Sequence, residues 1–150
     1  MEMVNCFDVA KYILEKKRKM TAMKLQKLIY YSQAWSLVWD DEPLFNDRIE
    51  AWLNGPVLPI LYEEHKGKYF VLIEDIANGN SSNLTENKKD SINKVLDYYG
   101  DKSSKWLSDL THLEDPWKNA RKGLSEEERG NKEITHAAMV EYYSSITQQN

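Results

Sequence analysis

The architecture of this chain follows from residues 21–39, TAMKLQKLIYYSQAWSLVW. Thr21 is a good N-cap, which predicts that a helix begins at Ala22. Its large apolar side chains, spaced by about 100° per residue, point in every direction, and a helix that is apolar nearly all round belongs in the centre of a protein. We therefore predict a buried central helix over residues 22–39, ended by the approach to Pro43.

Length and composition predict a single globular domain over residues 1–150. Hydrophobic residues make up 41% and charged residues 29% of the chain, and the mean hydropathy is -0.68. No stretch approaches the ~20 apolar residues of a membrane helix. The N-terminus lacks the basic and apolar regions of a signal peptide. A single cysteine, Cys6, suits a reducing compartment, so we expect a cytoplasmic protein without a membrane association.

Three further helices have clear start or stop signals. Asn5 can cap a helix that begins at Cys6 and ends in the basic run 16–19, where cations suit the helix dipole. Thr85 can cap a helix that Gly100 closes. The spacing of apolar residues from Met139 to Ile146 predicts a final helix.

The middle of the chain mixes strand and helix signals. Two short apolar runs, 49–53 and 70–73, could pair with each other as a small β-ribbon. Pro56 and Pro59 are expected in a first helical turn, opening a helix that ends before Gly67.

A second apolar stripe follows, formed by Trp106, Leu110, Leu113 and Trp117. This helix should break at Asp115, because the residue before Pro116 disfavours helix, and a further turn should run to Gly123. The predicted fold is mainly α. It is a single compact domain of about six helices around the central buried helix, with a small two-stranded β-ribbon.

The charge is unevenly distributed along the chain. Residues 1–31 carry seven basic and three acidic groups, whereas the remainder carries thirteen basic and twenty-one acidic ones. The cluster 16–19 is either a solvated helix end or a nucleic-acid patch. Only four of the twenty cations are Arg, the residue best suited to phosphate, so nucleic-acid binding is the disfavoured alternative.

The residue patterns of common enzymes are missing. His65, His112, His136 and Cys6 are scattered without the spacing of a zinc site. There is no glycine-rich phosphate loop and no G-x-S-x-G elbow. Cys6 lies on an apolar stripe, where a thiol is usually an inert small hydrophobe, which disfavours a small hydrolase. We expect a protein that is not an enzyme and that needs no metal or cofactor.

The chain is rich in aromatic residues, with five Trp, nine Tyr and three Phe. Most must lie in the core. Any that remain at the surface would form the kind of anchor that dominates protein–protein interfaces. Composition therefore favours a stable aromatic core and leaves room for a protein-binding surface.

Three blocks of sequence carry a resemblance to a known family. They are MKLQKLIYY at 23–31, EAWLNGPV at 50–57, and the segment from Leu107 to His112 followed by Pro116-Trp117. In this order and spacing they resemble the Panacea-domain antitoxins, also called the SocA-like or phage-associated GepA-like family. The blocks span about 21–117, and the terminal helices fit as well.

The resemblance implies a small, mainly helical antitoxin that neutralises a toxin encoded beside it, usually by direct binding. One mode in the family delivers the toxin to a Clp-type protease. The expected partners are therefore a cognate protein toxin and, in that mode, the protease. We expect a monomer or weak dimer. The alternative function is a nucleic-acid-binding phage regulator.

We hypothesise that Trp52, His112 and Trp117 bind the partner. Each lies in a family-like block and has a neighbour expected to take the core position instead, namely Leu53, Leu113 and Trp106. A purely structural role, in which they lock one corner of the fold, is the alternative. Lys24 and Lys27 are lesser candidates, as polar interruptions expected to mark where the central helix reaches water.

Overall fold

The computed structural model describes residues 3–147, and side chains as far as residue 146. This part of the chain forms one compact domain with seven α-helices and two small β-pairs. Two short 3-10 helices, Ile73–Asp75 and Ser81–Asn83, precede α4. The elements are α1 Cys6–Lys17, β1 Met20–Thr21, α2 Ala22–Trp39, β2 Glu50–Trp52, β3 Gly55–Val57, α3 Pro59–His65, β4 Phe70–Val71, α4 Glu86–Tyr99, α5 Ser104–Leu113, α6 Asp115–Ala120 and α7 His136–Thr147.

Helix α2 is the centre of the domain, as predicted. The Thr21 hydroxyl caps it by accepting from the backbone N–H of Lys24 at 3.1 Å. Thirteen of its eighteen residues are buried, and it packs against α1, α4, α5 and α7. Burial on every side explains how one helix organises the core.

Two buried glutamines of α2 hold the chain that wraps around it. The Gln33 side chain accepts from the backbone N–H of Leu44 and donates to the carbonyl of Phe45. The Gln26 side chain makes the same pair of bonds with the N–H and carbonyl of Leu58. Because a buried polar group is costly unless it is hydrogen-bonded, these amides fix where the two loops cross the helix.

The predicted helices α1, α4 and α7 are confirmed, and so are the predicted starts of α1 and α4. At α1, Asn5 and Asp8 form a reciprocal capping box. The Thr85 hydroxyl caps α4, which ends at Tyr99 beside Gly100. Helix α7 covers the predicted stripe and buries Met139 and Tyr143.

The predicted pairing of the two short strands is wrong. Strand β2 instead turns back on β3, with Trp52 opposite Gly55, and β4 pairs with β1. A hairpin closed by two residues orders much less chain than a pairing between distant segments. Pro56 consequently lies in β3, on an edge strand where proline is tolerated. Of these two prolines, Pro59 alone opens a helix.

The predicted apolar stripe of α5 is wrong in part, although Leu110 and Trp117 do pack against the core. Trp106 is 40% exposed and Leu113 is 72% exposed, while Leu107, Thr111 and Glu114 are buried. The spacing of apolar residues gave the wrong inward face because two of the three buried side chains, Thr111 and Glu114, are polar. The helix ends at Leu113 with Glu114 extended, one residue before the predicted break, and α6 ends at Ala120 rather than at Gly123.

No helix in the described part of the chain combines the length and the apolar character needed to cross a membrane.

Candidate functional site

The three sequence blocks meet at one corner of the domain. Strand β3 of the β2–β3 hairpin packs against both α2 and α5. On its other edge, β2 bonds to residues 132–134, through Ala51 N–H to Lys132 and through Ile134 N–H to Ile49. The hairpin is thereby held by α2, by α5 and by residues 132–134.

The structure brings Trp52, His112 and Trp117 together. The Trp117 indole N–H donates to the backbone carbonyl of Trp52 at 2.8 Å. The His112 ring stacks on the Trp117 ring, with 4.1 Å between centroids and 17° between planes. All three residues are half-buried. They form a continuous partly exposed surface, called here the aromatic corner.

Two of the neighbours that were expected to take core positions do not take them. Leu113, expected to take the core position beside His112, is among the most exposed large apolar residues described, and Trp106 is also exposed. Leu53 is half-buried, as is Trp52. The exposed Leu113 therefore adds apolar surface next to His112 instead of core.

Arg121 supports the aromatic corner from inside. Its guanidinium carbon lies 5.0 Å from the centre of the Trp117 ring. One guanidinium nitrogen donates to the carbonyl of Ala51 at 3.2 Å, and another donates to the carbonyls of Ser125 and Glu128. Sequence reasoning missed this residue, since an arginine in an apparently polar stretch carries no signal that it is 5% exposed.

A cleft of about 520 Å³ opens beside Trp52. Its apolar walls include Met23, Val57 and Tyr62, and the Trp52 and Tyr62 rings meet edge to face at 5.1 Å. Arg129 contributes a cation to the lining. Glu50 contributes a carboxylate, which accepts from the Trp52 indole N–H and from Arg48, both at 2.8 Å. The cleft is thus apolar in its walls and polar at specific points.

The expectation that Lys27 reaches water is wrong, because its exposure is 0%. Its amine has no hydrogen-bond partner among the described residues. A Cβ placed on Gly55 would lie 2.5 Å from Lys27 Cε and 3.0 Å from Thr111 Oγ1, and Gly55 has a φ of +122°. The lysine therefore fills the space that a side chain at Gly55 would need, and none of its surface is exposed.

Burial acts on the protonation of this lysine and of its histidine neighbours. Desolvation lowers the pKa of Lys27 to about 7. Burial also lowers the pKa of His112 and of His65, and the nearby charge of Lys27 lowers both further. The His112 Nε2 atom is buried without a hydrogen-bond partner, like the lysine amine. Two polar atoms of this corner are therefore left unsatisfied.

Lys24 lies in a different setting. It is half-buried, and desolvation lowers its pKa, with Lys17 lowering it and Asp101 raising it. These charged groups belong to the end of α1 and to the turn after α4, so the structure does not group Lys24 with the aromatic corner.

A second polar cluster inside the domain was also missed. Glu114 accepts from the hydroxyls of Tyr31 and Tyr143, both at 2.7 Å. Burial raises the pKa of Glu114. Tyr31 stacks on Tyr99 with 4.2 Å between ring centroids. This cluster ties α2, α4, α7 and the α5–α6 junction together, and its position in the core indicates a structural role.

The described residues contain no group of three His, Cys, Asp or Glu side chains that could hold a metal ion. The model of the family described as "Antitoxin SocA-like, Panacea domain" matches residues 25–118. No curated protein and no solved structure gives a significant match. The matched span holds the aromatic corner and Lys27 but not Lys24.

Proposed function

Because this chain belongs to the Panacea-domain family of SocA-like antitoxins, we propose that it is an antitoxin of a bacterial or prophage toxin–antitoxin system. It acts in the cytoplasm as a non-enzymatic binding protein. It neutralises a cognate toxin, encoded nearby, by direct contact. The family match over residues 25–118 carries this proposal.

The geometry of the matched segment supports a binding role. The aromatic corner consists of Trp52, His112 and Trp117, with the exposed Leu113 beside it and the 520 Å³ cleft next to Trp52. Interface hot spots are enriched in Trp and cluster in well-packed pockets from which water is excluded. The corner therefore offers both an apolar anchor and a recess for the toxin.

The three aromatic-corner residues are not equivalent. Trp117 binds the hairpin through its indole N–H, stacks on His112 and lies against the Arg121 guanidinium. Replacing it removes support for the corner as well as surface. Among the described residues, the Trp52 indole bonds only to Glu50, two residues away in the same hairpin. Trp52 is therefore the residue whose loss best separates binding from folding.

The test is co-expression of the chain with the toxin encoded beside it. Trp52→Ala and His112→Ala should fail to restore growth, should lose pull-down of the toxin, and should melt within a few degrees of the wild type. Tyr98→Ala is the matched control, since Tyr98 is 64% exposed and lies on α4. Its rescue and pull-down should be unchanged. Loss of rescue only in proportion to a lower melting temperature would assign Trp52 and His112 a structural role.

Delivery of the toxin to a Clp-type protease is the alternative mode of neutralisation. The two modes differ in the fate of the toxin. Direct inhibition leaves the toxin level unchanged, whereas an adaptor shortens its half-life only in cells that contain the protease. Western blots of the toxin in protease-positive and protease-negative strains separate them.

A nucleic-acid-binding regulator is the second candidate, and one observation favours it. The exposed cations 16–19 lie beside exposed aromatic rings, with Lys19 Nζ 4.5 Å from the centre of the Phe70 ring and Tyr69 73% exposed. Cations interleaved with aromatic rings suit single-stranded nucleic acid. An electrophoretic shift that weakens steeply with salt would support this candidate, and no shift at low salt would remove it.

A further inference from the structure

The two unsatisfied polar atoms of the corner belong to side chains close in space. Lys27 Nζ and His112 Nε2 are both buried without a hydrogen-bond partner in the part of the chain that the structure describes, and the charge of Lys27 acts on His112. Unsatisfied buried polar groups are rare in folded proteins because each one costs stability. Two such groups at the turn of the β2–β3 hairpin indicate a function that outweighs the loss of stability.

Lys27 and His112 do not line the cleft, but residues adjacent to this turn do. Gln26 and Asn54, the chain neighbours of Lys27 and Gly55, both line it. Asn54 is exposed, and Gly55 presents only backbone between its own turn and the lysine. Access from the cleft to the amine therefore requires displacement of the Asn54–Gly55 turn.

The charges around the cleft identify the group that fits. Glu50 is already engaged by Arg48 and by the Trp52 indole. Arg129 is exposed and makes no ion pair among the described residues. The uncommitted charge at the mouth is therefore positive, and Lys27 and His112 can both donate hydrogen bonds when protonated. A carboxylate complements all three.

We infer that Lys27 and His112 form a receptor for one acidic side chain of the toxin, an Asp or Glu that enters beside the Asn54–Gly55 turn. An apolar residue next to it in the toxin packs against Met23, Val57 and Tyr62. This inference rests on the proposed function, because the ligand is part of the toxin. The bound carboxylate supplies Lys27 with its missing partner, and the amine takes up a proton from solvent where it is neutral beforehand.

The decisive variant is Lys27→Met, which keeps the length of the side chain and removes the amine. Its melting temperature should equal or exceed that of the wild type. Its affinity for the toxin encoded beside the chain should fall at least tenfold by isothermal titration calorimetry. Lys88→Met, on α4 and remote from the hairpin in sequence, is the matched control and should bind normally. Wild-type affinity of a folded Lys27→Met would overturn the inference while leaving the antitoxin function intact.

A second measurement needs neither the variant nor the toxin. Sodium benzoate and benzamide share an apolar ring and differ in the carboxylate. Titrated at millimolar concentration into the wild-type chain, benzoate should shift the Lys27 ¹³Cε resonance, and benzamide should not. Equal shifts with both compounds, or no shift with either, would overturn the inference. If benzoate is bound through Lys27 but the wild-type chain does not bind the toxin, the proposed function fails instead.

Discussion

Replacing Lys27 by Met should stabilise the protein. The amine is fully buried and unsatisfied, with its pKa lowered from 10.5 to about 7 by burial. Each pKa unit corresponds to about 1.4 kcal/mol. The shift therefore represents about 4 kcal/mol of lost folding free energy at pH 7. Replacement of buried charged groups by apolar ones of similar size has stabilised other proteins by about 1–4 kcal/mol. We expect a gain of about 2–4 kcal/mol.

The gain should depend on pH in a defined direction. Between the folded pKa of about 7 and the unfolded value of 10.5, the unfolded chain binds more protons at Lys27 than the folded chain does. The free energy of unfolding contributed by this group therefore rises with pH across that window. Lys27→Met lacks this contribution, so its advantage over the wild type should be large at pH 7 and should shrink toward pH 10.

Urea unfolding followed by circular dichroism at pH 7.0, 8.0 and 9.0 measures both effects. Comparing the two proteins at each pH cancels the titration of groups that do not interact with Lys27. Lys88→Met again serves as the control and should follow the wild type. A Lys27→Met protein that is less stable than the wild type by more than about 1 kcal/mol, or an advantage that does not change with pH, would refute the burial of an unsatisfied amine at this site.

Other substitutions test separate parts of the structure. Leu28→Ala should cost about 2–5 kcal/mol in urea unfolding, because Leu28 is fully buried in α2; a cost below about 1 kcal/mol would make that helix peripheral. Gly55→Ala should cost about 1–3 kcal/mol, since the positive φ and the contact with Lys27 both oppose a Cβ; an unchanged melting temperature would contradict this. Glu114→Ala should destabilise more than Glu114→Gln, because glutamine retains an acceptor for the two buried tyrosine hydroxyls; equal losses would show that those bonds contribute little.

Features determined by local sequence were predictable. The starts of α1, α2 and α4 follow from Asn5, Thr21 and Thr85, whose side chains each bond a backbone N–H in the first helical turn. The burial of α2 followed from its lack of a polar face. Hydrogen bonds within a few residues of the chain and the periodicity of apolar groups are both readable without knowledge of the fold.

Features that depend on distant polar contacts were not predictable. Glu114 is buried because two tyrosines from other helices donate to it. Lys27 is buried because Gly55 leaves it space. Charged residues are normally assigned to the surface, so both positions contradict the ordinary expectation. The same applies to Arg121, which bonds three backbone carbonyls.

The candidate site was predictable only as a group of residues. The structure does bring Trp52, His112 and Trp117 into contact, although the reasoning from their neighbours was wrong at Leu113 and Trp106. The family-like blocks identified which segments matter, whereas the details of the corner depend on how the hairpin packs against α5 and α6. Its role in binding stays a prediction.

Amide hydrogen exchange of the chain, alone and with the toxin encoded beside it, tests the central claim most directly. The account predicts a stable complex in which protection increases at residues 50–55 and 112–117, around the aromatic corner, and stays unchanged at residues 16–19 and 69–72. Absence of a complex would contradict the antitoxin function. A complex that protects only the basic segment and its neighbouring aromatic residues would show that the toxin binds elsewhere.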